Sequence, residues 1–154
     1  MKLNKLMFRE YDIRGIWNED ITEEISYYIG RAYATKLLSL RKNKMIVGYD
    51  NRLSSPIIEK NLVKGLTDGG VDVVRLGLVT TPMYYYAWDK LNIHCGIMIT
   101  ASHNPKEYNG FKISYNGIHN CFGSEVVELY YIILNGIYSE GNGSITDANI
   151  KEDY

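Results

Sequence analysis

The chain has 154 residues, of which 45% are hydrophobic and 23% charged, so it is long enough for one compact domain without disulfide or metal staples. Its formal net charge of −1 gives no long-range attraction for nucleic acid or for an anionic membrane, and we expect neither as a partner. Cys95 and Cys121 lack metal-binding spacing, and because neither a signal peptide nor an apolar stretch of bilayer length occurs, we expect a cytoplasmic protein.

The first half of the chain alternates helical and extended patterns. A cap at Asp20 or Thr22, an acidic first turn and apolar residues at helical spacing predict a helix over residues 23–40. A short apolar run over 45–49 predicts a buried strand. A serine–proline pair and a closing pair of glycines then bound a second helix over 55–70.

The second half continues the alternation. It predicts three more strands, over residues 71–76, 94–100 and 111–114. It also predicts two helices, over 81–91 and 125–134, the second with Ser124 as its cap. Strands separated by helices indicate an α/β sandwich with a largely parallel sheet.

The end of the chain differs in composition from the rest. Residues 139–144 are rich in glycine and serine and are polar, which is typical of linkers. We therefore predict one folded domain over residues 1–138 and a linker over 139–154 that leads toward further domains.

The loop after the strand at 94–100 carries the first candidate site residue, Ser102. In α/β sheets, sites gather beyond the carboxyl ends of the strands, which predicts that Ser102 faces a cleft. A serine hydroxyl is a poor nucleophile unless it is activated, and His103 points the opposite way from Ser102 in extended chain. A hydrolase triad is therefore not expected, whereas Arg14 and Lys112 supply cations for a phosphate group.

Four segments resemble one enzyme family, the α-D-phosphohexomutases. They read F-R-E-Y-D-I-R-G over residues 8–15, G-Y-D-N-R-L-S-S over 48–55, T-T-P over 80–82, and T-A-S-H-N-P-K-E-Y-N-G-F-K over 100–112. The resemblance runs from about residue 8 to about residue 134. The Y-D-I-R-G and N-G-F-K segments are similar to the phosphomannomutase/phosphoglucomutase branch, whereas phosphoglucosamine mutases more often open with T-D-G-I-R-G.

The resemblance implies the N-terminal domain of such a mutase, a three-layer α/β/α sandwich with a mixed, largely parallel sheet. It implies that Ser102 is phosphorylated and exchanges its phosphoryl group with a hexose monophosphate through a bisphosphate. A phosphate oxygen on Ser102 would be one ligand of Mg²⁺, and glucose 1,6-bisphosphate would act as activator. The remaining roles fall on Arg14 and Lys112 (holding the phosphoryl group and aiding proton transfer), His103 and Asn104 (shaping the loop), Tyr11 (supporting Arg14) and Arg52 (binding phosphate or tying the loop through Asp50).

The resemblance also predicts what the 154 residues lack. Family members carry an acidic metal loop, a sugar-reading loop and a second phosphate-binding loop, and none of these motifs occurs here. We therefore expect poor Mg²⁺ binding, no basis for choosing between mannose, glucose and glucosamine, and no mutase activity from this chain alone. The alternatives are a phosphoglucosamine mutase fragment and a non-catalytic domain that binds phosphate or a partner, with dimerisation through an exposed interdomain face.

Overall fold

The computed structural model describes residues 1–117, 123–152 and 154. A short 3-10 helix, Lys5–Met7, precedes the main elements. These are, in chain order, β1 (Ile13–Ile16), α1 (Glu23–Ser39), β2 (Lys44–Tyr49), α2 (Ser55–Asp68), β3 (Asp72–Leu78), α3 (Thr81–Leu91), β4 (Gly96–Ile99), β5 (Tyr108–Ser114), α4 (Ser124–Asn135) and β6 (Ile145–Asp147).

The six strands form one mixed sheet in the order β1-β5-β4-β2-β3-β6. Strands β4, β2, β3 and β6 are mutually parallel, and β5 runs antiparallel to both of its neighbours, β1 and β4. The carboxyl ends of β1, β2 and β4 therefore lie at one edge of the sheet, beside the start of β5. The predicted largely parallel, mixed sheet is confirmed.

Helices cover both faces of this sheet. Helices α1, α2 and α4 share one buried cluster with alternate strand residues such as Val47, Ile97 and Phe111. Helix α3 covers the opposite face, where Tyr84 packs with Met98. Since successive strand side chains point to opposite faces, one sheet serves two cores, and the three-layer α/β/α arrangement is confirmed.

Helices α1 and α2 approach closely through paired glycines. A Cβ added at Gly65 would lie 2.0 Å from the carbonyl oxygen of Tyr27, and one at Gly30 would lie 2.3 Å from that of Leu62. Both distances are far below van der Waals contact. The two glycines thus set the separation between the helices on this face.

The caps of three helices bear on the predicted boundaries. Helix α3 begins at Thr81 and ends at Leu91 as predicted, and it is capped by Thr80, whose side chain accepts from the amide of Met83 at 3.2 Å. The prediction of Ser124 as cap of α4 is wrong, because Gly123 occupies that position at φ +54° and donates to the carbonyl of Glu10. The predicted cap of α1 by Thr22 is confirmed.

The segment predicted as a linker packs against the domain over much of its length. It contains β6, which pairs with β3, and Ile150, which is buried. A Cβ at Gly143 would lie 1.8 Å from the carbonyl oxygen of Val71, so glycine here permits close approach of two main chains. That the segment leads to further domains stays a prediction.

Two further expectations concern the cysteines and the membrane. Cys95 is a buried thiol whose Sγ donates to the carbonyl of Lys44 at 3.0 Å, and burial raises its pKa. Cys121 lies outside the described residues. None of the helices described has the length and apolar character that a bilayer crossing requires.

Candidate active site

The carboxyl edge of the sheet brings together the segments singled out in the sequence. The serine loop, which we define as residues 100–108, connects β4 to β5, and the loop over 50–54 follows β2. An open groove of about 650 Å³ lies between them. Its lining comprises Trp17, Asp50, Asn51, Arg52, Leu53, Ser54, Ser102, Asn104, Lys106 and Glu107.

Ser102 is exposed at this edge in an unusual conformation. Its φ is +53°, in the left-handed region that residues with a Cβ adopt at a cost. The loop holds it there, since its amide donates to the hydroxyl of Thr100 at 3.0 Å. The hydroxyl of Ser102 therefore projects from a tight turn rather than from a strand.

Arg14 is directed at this hydroxyl from strand β1. Its Nη2 lies 3.5 Å from Oγ of Ser102, and its Nη1 donates to the side-chain oxygen of Asn104 and to the carbonyl of Ala101. The buried carboxylate of Asp12 accepts from Nε of Arg14 at 2.5 Å, which fixes the plane of the guanidinium. Arg14 thus reaches the serine loop as predicted, already oriented.

Sheet geometry explains why Arg14 and Lys112 share a face. Arg14 is paired with Gly110 on β5, and Lys112 lies two residues beyond Gly110 on the same strand. Ile13 and Phe111, which alternate with them, point into the core of the opposite face. A Cβ at Gly110 would lie 3.1 Å from Cγ of Arg14, so the glycine leaves room for the arginine to cross β5.

The structure distinguishes between the two roles foreseen for Arg52. Its guanidinium donates to four carbonyls of the serine loop, namely those of Ser102, Asn104, Pro105 and Tyr108, at 2.7 to 3.0 Å. Its Nε pairs with Asp50 at 3.3 Å. The geometry therefore favours the tie to the loop over a phosphate contact.

The side chains of three predicted site residues make no hydrogen bond or ion pair within the described part of the chain. Lys112 is partly exposed and His103 is exposed. Tyr11 is 66% exposed and makes no hydrogen bond to Arg14 in the part of the chain that the structure describes. Asp12 supports Arg14 directly, and the supporting role that the resemblance implies for Tyr11 stays a prediction.

Sequence reasoning missed Asp12 and the hydroxyl of Thr100. A signal for Asp12 existed, because residues two apart in extended chain lie on the same side, which places Asp12 beside Arg14. No comparable signal marked Thr100, whose hydroxyl accepts from the amide of Ser102 in a turn.

The arrangement suits a charged group on Ser102 better than a deprotonated serine. Among the described residues, no side chain accepts a hydrogen bond from this hydroxyl, and the cationic Arg14 lies 3.5 Å from it. A guanidinium with fixed orientation stabilises negative charge on a neighbouring oxygen or phosphoryl group. The edge of the sheet is therefore suited to holding an anion at Ser102.

The donor set does not fit a complete magnesium site. Mg²⁺ prefers six oxygen ligands in octahedral geometry. Among the residues that the structure describes, no three His, Cys, Asp or Glu side chains converge, and two of the nearby carboxylates, Asp12 and Asp50, are paired with Arg14 and Arg52. Ser102 remains the ligand that the resemblance implies.

Comparison with known proteins adds independent findings. The family described as phosphoglucomutase/phosphomannomutase, alpha/beta/alpha domain I, matches residues 5–129. A phosphomannomutase/phosphoglucomutase of Pseudomonas syringae pv. tomato is 40% identical over 148 residues, which cover 96% of this chain and 32% of that protein. A phosphoglucosamine mutase of Finegoldia magna is 40% identical over 121 residues, which cover 79% of this chain and 27% of that protein.

A solved structure of the same family also matches this chain. A phosphoglucomutase/phosphomannomutase family protein from Burkholderia thailandensis superimposes with a TM-score of 0.93 at 31% identity. The match covers 99% of this chain and 35% of that one. The chain thus spans about a third of the length of the curated relatives that it matches.

Proposed function

Because this chain belongs to the phosphoglucomutase/phosphomannomutase family, as its domain I, we propose that it supplies the phosphoryl-carrying serine of a hexose-phosphate mutase. The observation that carries this proposal is the placement of Ser102. Its hydroxyl projects from a strained turn, 3.5 Å from an arginine that Asp12 holds in place.

The proposed reaction moves a phosphoryl group between Ser102 and a sugar. A hydroxyl oxygen of a hexose monophosphate attacks the phosphorus on phosphorylated Ser102, the Oγ–P bond breaks, and the proton of the sugar hydroxyl ends on Oγ. The reverse transfer from the other phosphate of the bisphosphate restores phosphoserine. The hexose 1-phosphate and 6-phosphate are thereby interconverted with no net gain or loss of phosphate.

Phosphoryl transfer needs alignment and charge neutralisation more than covalent chemistry. Arg14 is positioned to offset the charge on the transferring group, and Asn104 fixes one of its amino groups. Lys112, on the same face, supplies a second cation and is proposed to assist proton transfer. His103 is proposed to line the approach to Ser102 from the solvent side.

We propose that Mg²⁺ binds at Ser102 only when other domains of the complete enzyme supply further ligands. Since no three His, Cys, Asp or Glu side chains converge among the described residues, we expect weak Mg²⁺ binding by the chain alone. We expect no mutase activity from the chain alone for the same reason, and because no sugar-reading segment was found in its sequence. A bisphosphate such as glucose 1,6-bisphosphate would load Ser102 in the complete enzyme, which we place in the cytoplasm.

A chimera tests the proposal. The chain replaces the matching third of the Pseudomonas syringae relative, and conversion of glucose 1-phosphate to glucose 6-phosphate is measured with and without Ser102→Ala. We expect the chimera to be active and Ser102→Ala to lower kcat at least about a thousandfold, since removal of a nucleophile has effects of that size or larger. Intact-mass analysis should find one phosphate, on Ser102.

Ser124→Ala, at the exposed start of α4, is the matched control and should retain full activity. An active chimera in which Ser102→Ala isomerises at the unmodified rate would overturn the proposal. Phosphate on another residue, or none in a folded and inactive chimera, would favour the alternative of a domain that binds phosphate or a partner.

A phosphoglucosamine mutase is the second candidate. The Finegoldia magna relative of that name is as similar in identity as the Pseudomonas syringae one, so identity over this domain does not separate the two substrates. The complete enzyme, assayed with the 1-phosphates of glucose, mannose and glucosamine, distinguishes them by the ratio of kcat/KM values.

Dimerisation also stays a proposal. Leu53, beside Ser102 in the groove, is 97% exposed, and such apolar surface favours association. Sedimentation velocity of the chain and of Leu53→Ser tests it, with dimer expected only for the unmodified chain.

A further inference from the structure

We propose that Arg52 is a positioning residue for phosphoryl transfer, because it fixes the main chain of the serine loop on both sides of the turn that presents Ser102. This inference rests on the proposed function, in which Ser102 carries the phosphoryl group. It assigns to Arg52 no contact with phosphate or sugar.

The hydrogen bonds of Arg52 account for all of its side-chain donors. Nη1 donates to the carbonyls of Pro105 at 2.7 Å and Tyr108 at 3.0 Å. Nη2 donates to those of Ser102 at 3.0 Å and Asn104 at 2.9 Å. With Nε on Asp50, the five N–H groups of the guanidinium are used, so an anion would have to displace the loop to bind it.

The four carbonyl groups point at the guanidinium of Arg52 because the main chain of the serine loop curves around it. Within the loop, the amide of Ser102 donates to the hydroxyl of Thr100, that of Asn104 to the carbonyl of Ala101 and that of Tyr108 to the carbonyl of Pro105. From outside the loop, Arg14 donates to the carbonyl of Ala101 and the amide of Trp17 to the carbonyl of Glu107. The left-handed conformation of Ser102 is intrinsically unfavourable, so contacts around it must maintain it. The bond from Arg52 to the Ser102 carbonyl is one such contact.

Arg52 is itself anchored to the rigid part of the fold. Asp50 accepts from the hydroxyl of Ser55 at 2.9 Å as well as from Arg52. The buried side chain of Asn109, on β5, donates to Ser54 at 2.8 Å and to Ser55 at 3.1 Å. A continuous network therefore connects the serine loop, through the start of α2, to the strand that carries Lys112.

The two arginines of the site have separate tasks in this arrangement. The charge of Arg52 is neutralised by Asp50 and by carbonyl dipoles, so the loop geometry it sets is insensitive to the charge on Ser102. Arg14, whose Nη2 contacts Oγ only at 3.5 Å, is the cation that meets the phosphoryl group. We therefore expect the main chain of the serine loop to be the same with and without phosphate.

Amide hydrogen exchange of the complete 154-residue chain tests the positioning role directly. Arg52→Lys keeps the positive charge and removes the planar guanidinium that donates to the four carbonyls. We expect amide exchange at Ser102, Asn104 and Tyr108 to become at least about tenfold faster, while exchange of the core amides of β2 stays unchanged. Arg75→Lys, which alters another ion-paired arginine at Asp147 on the β3–β6 edge, should leave the three loop amides unchanged.

Exchange rates within twofold of wild type in Arg52→Lys would overturn the proposal. If Arg52→Lys lowers protection throughout the chain, Asp50→Asn provides the second test, because it weakens the anchor and leaves the guanidinium in place. Faster exchange confined to the loop is then the expected result, and unchanged loop exchange contradicts it.

The chimera separates positioning from ligand binding. A positioning role predicts that Arg52→Lys lowers kcat at least about tenfold while KM stays within about threefold, whereas loss of a phosphate ligand raises KM. A raised KM with unchanged kcat would reject the positioning role. Loop exchange does not depend on turnover, so an inactive chimera with a loosened loop would count against the proposed function and not against the role of Arg52.

Discussion

The serine loop and the C-terminal segment, residues 139–147, are both polar, and an arginine from a neighbouring element holds each of them. Arg52 donates to four carbonyls of the loop. Arg31, on α1, donates to the carbonyl of Ser139 and to Glu140. Residues 101–107 of the loop lie outside the strand ladder and leave the hydroxyl of Ser102 exposed, whereas the C-terminal segment continues into β6. Composition alone does not distinguish a functional loop from a packed segment. The groups to which each arginine donates do distinguish them.

The two arginine side chains are equally buried, each 11% exposed, but their surroundings differ. Arg31 packs in the folded body of the domain, where it donates to the hydroxyl of Tyr27 and lies 5.0 Å from the ring centroid of Tyr138. Arg52 lies in the wall of an open groove and donates to the carbonyls of a single loop. Arg31 therefore supports the global stability of the domain, and Arg52 supports the local order of one loop. Four predictions test this contrast, beginning with the largest expected effect.

Gly143→Ala should destabilise the domain by about 3 kcal/mol, the upper end of the usual cost of overpacking. The added Cβ would lie 1.8 Å from the carbonyl oxygen of Val71, so the C-terminal segment must move away from β3. Urea denaturation measures the change, with Asn142→Ala, at the exposed neighbouring position, as control. Equal stabilities for the two variants would show that the segment is not part of the cooperative unit.

Arg31→Lys should lower the free energy of unfolding by about 2 kcal/mol, since the geometry of three hydrogen bonds is lost at about 0.5–1.5 kcal/mol each and a lysine recovers part of them. Arg52→Lys should change it by less than about 1 kcal/mol, because its bonds open locally. Thermal and urea unfolding of both variants provide the measurement. A larger global effect for Arg52→Lys would reverse the comparison.

Ser102→Gly should stabilise the domain by about 0.5–1 kcal/mol, because glycine adopts the left-handed conformation without the steric cost that serine bears. The same change removes the proposed phosphoryl acceptor, so stability and activity should move in opposite directions. Ser102→Ala keeps the Cβ and should not stabilise. Equal unfolding midpoints for the glycine and alanine variants would argue against strain at this residue.

The smallest expected effect concerns pH. The hydrogen bond from Tyr27 holds the pKa of Asp68 below its ordinary value of 3.8, with Lys64 contributing in the same direction. A lowered pKa contributes stability above pH 3.8 that is lost as the pH falls through the folded-state value. Asp68→Asn should therefore flatten the dependence of unfolding free energy on pH below about 4. An unchanged slope would show that this partly exposed pair is screened.

Periodic segments were predictable from the sequence, and short paired ones were not. The helix expected over 23–40 is observed as Glu23–Ser39, because its cap and apolar face are local signals. Strands β1 and β6 have four and three residues, and each exists through pairing with a distant strand, as in Ile13 with Phe111 and Val73 with Ile145. No local pattern encodes such pairing.

The site divides in the same way. The identities of Ser102, Arg14 and Asn104 followed from motifs, and the structure brings these three side chains together. The sequence left the role of Arg52 open, because the convergence of four carbonyls depends on the path of the loop. The support of Arg14 by Asp12 went unpredicted, although the two-residue spacing in extended chain places both side chains on the same side.

The shortness of the outermost strands has a consequence for the behaviour of the domain in solution. The outermost strand of a sheet has unpaired N–H and C=O groups that can pair with a strand of a second molecule. Long, flat outermost strands are therefore the usual sites at which β-aggregation begins. Here the border strand β1 has four residues and the border strand β6 has three, and Asp147 on β6 forms an ion pair with Arg75 on the neighbouring β3. The domain should therefore withstand high concentration without forming β-rich aggregates, even with apolar Leu53 fully in contact with water.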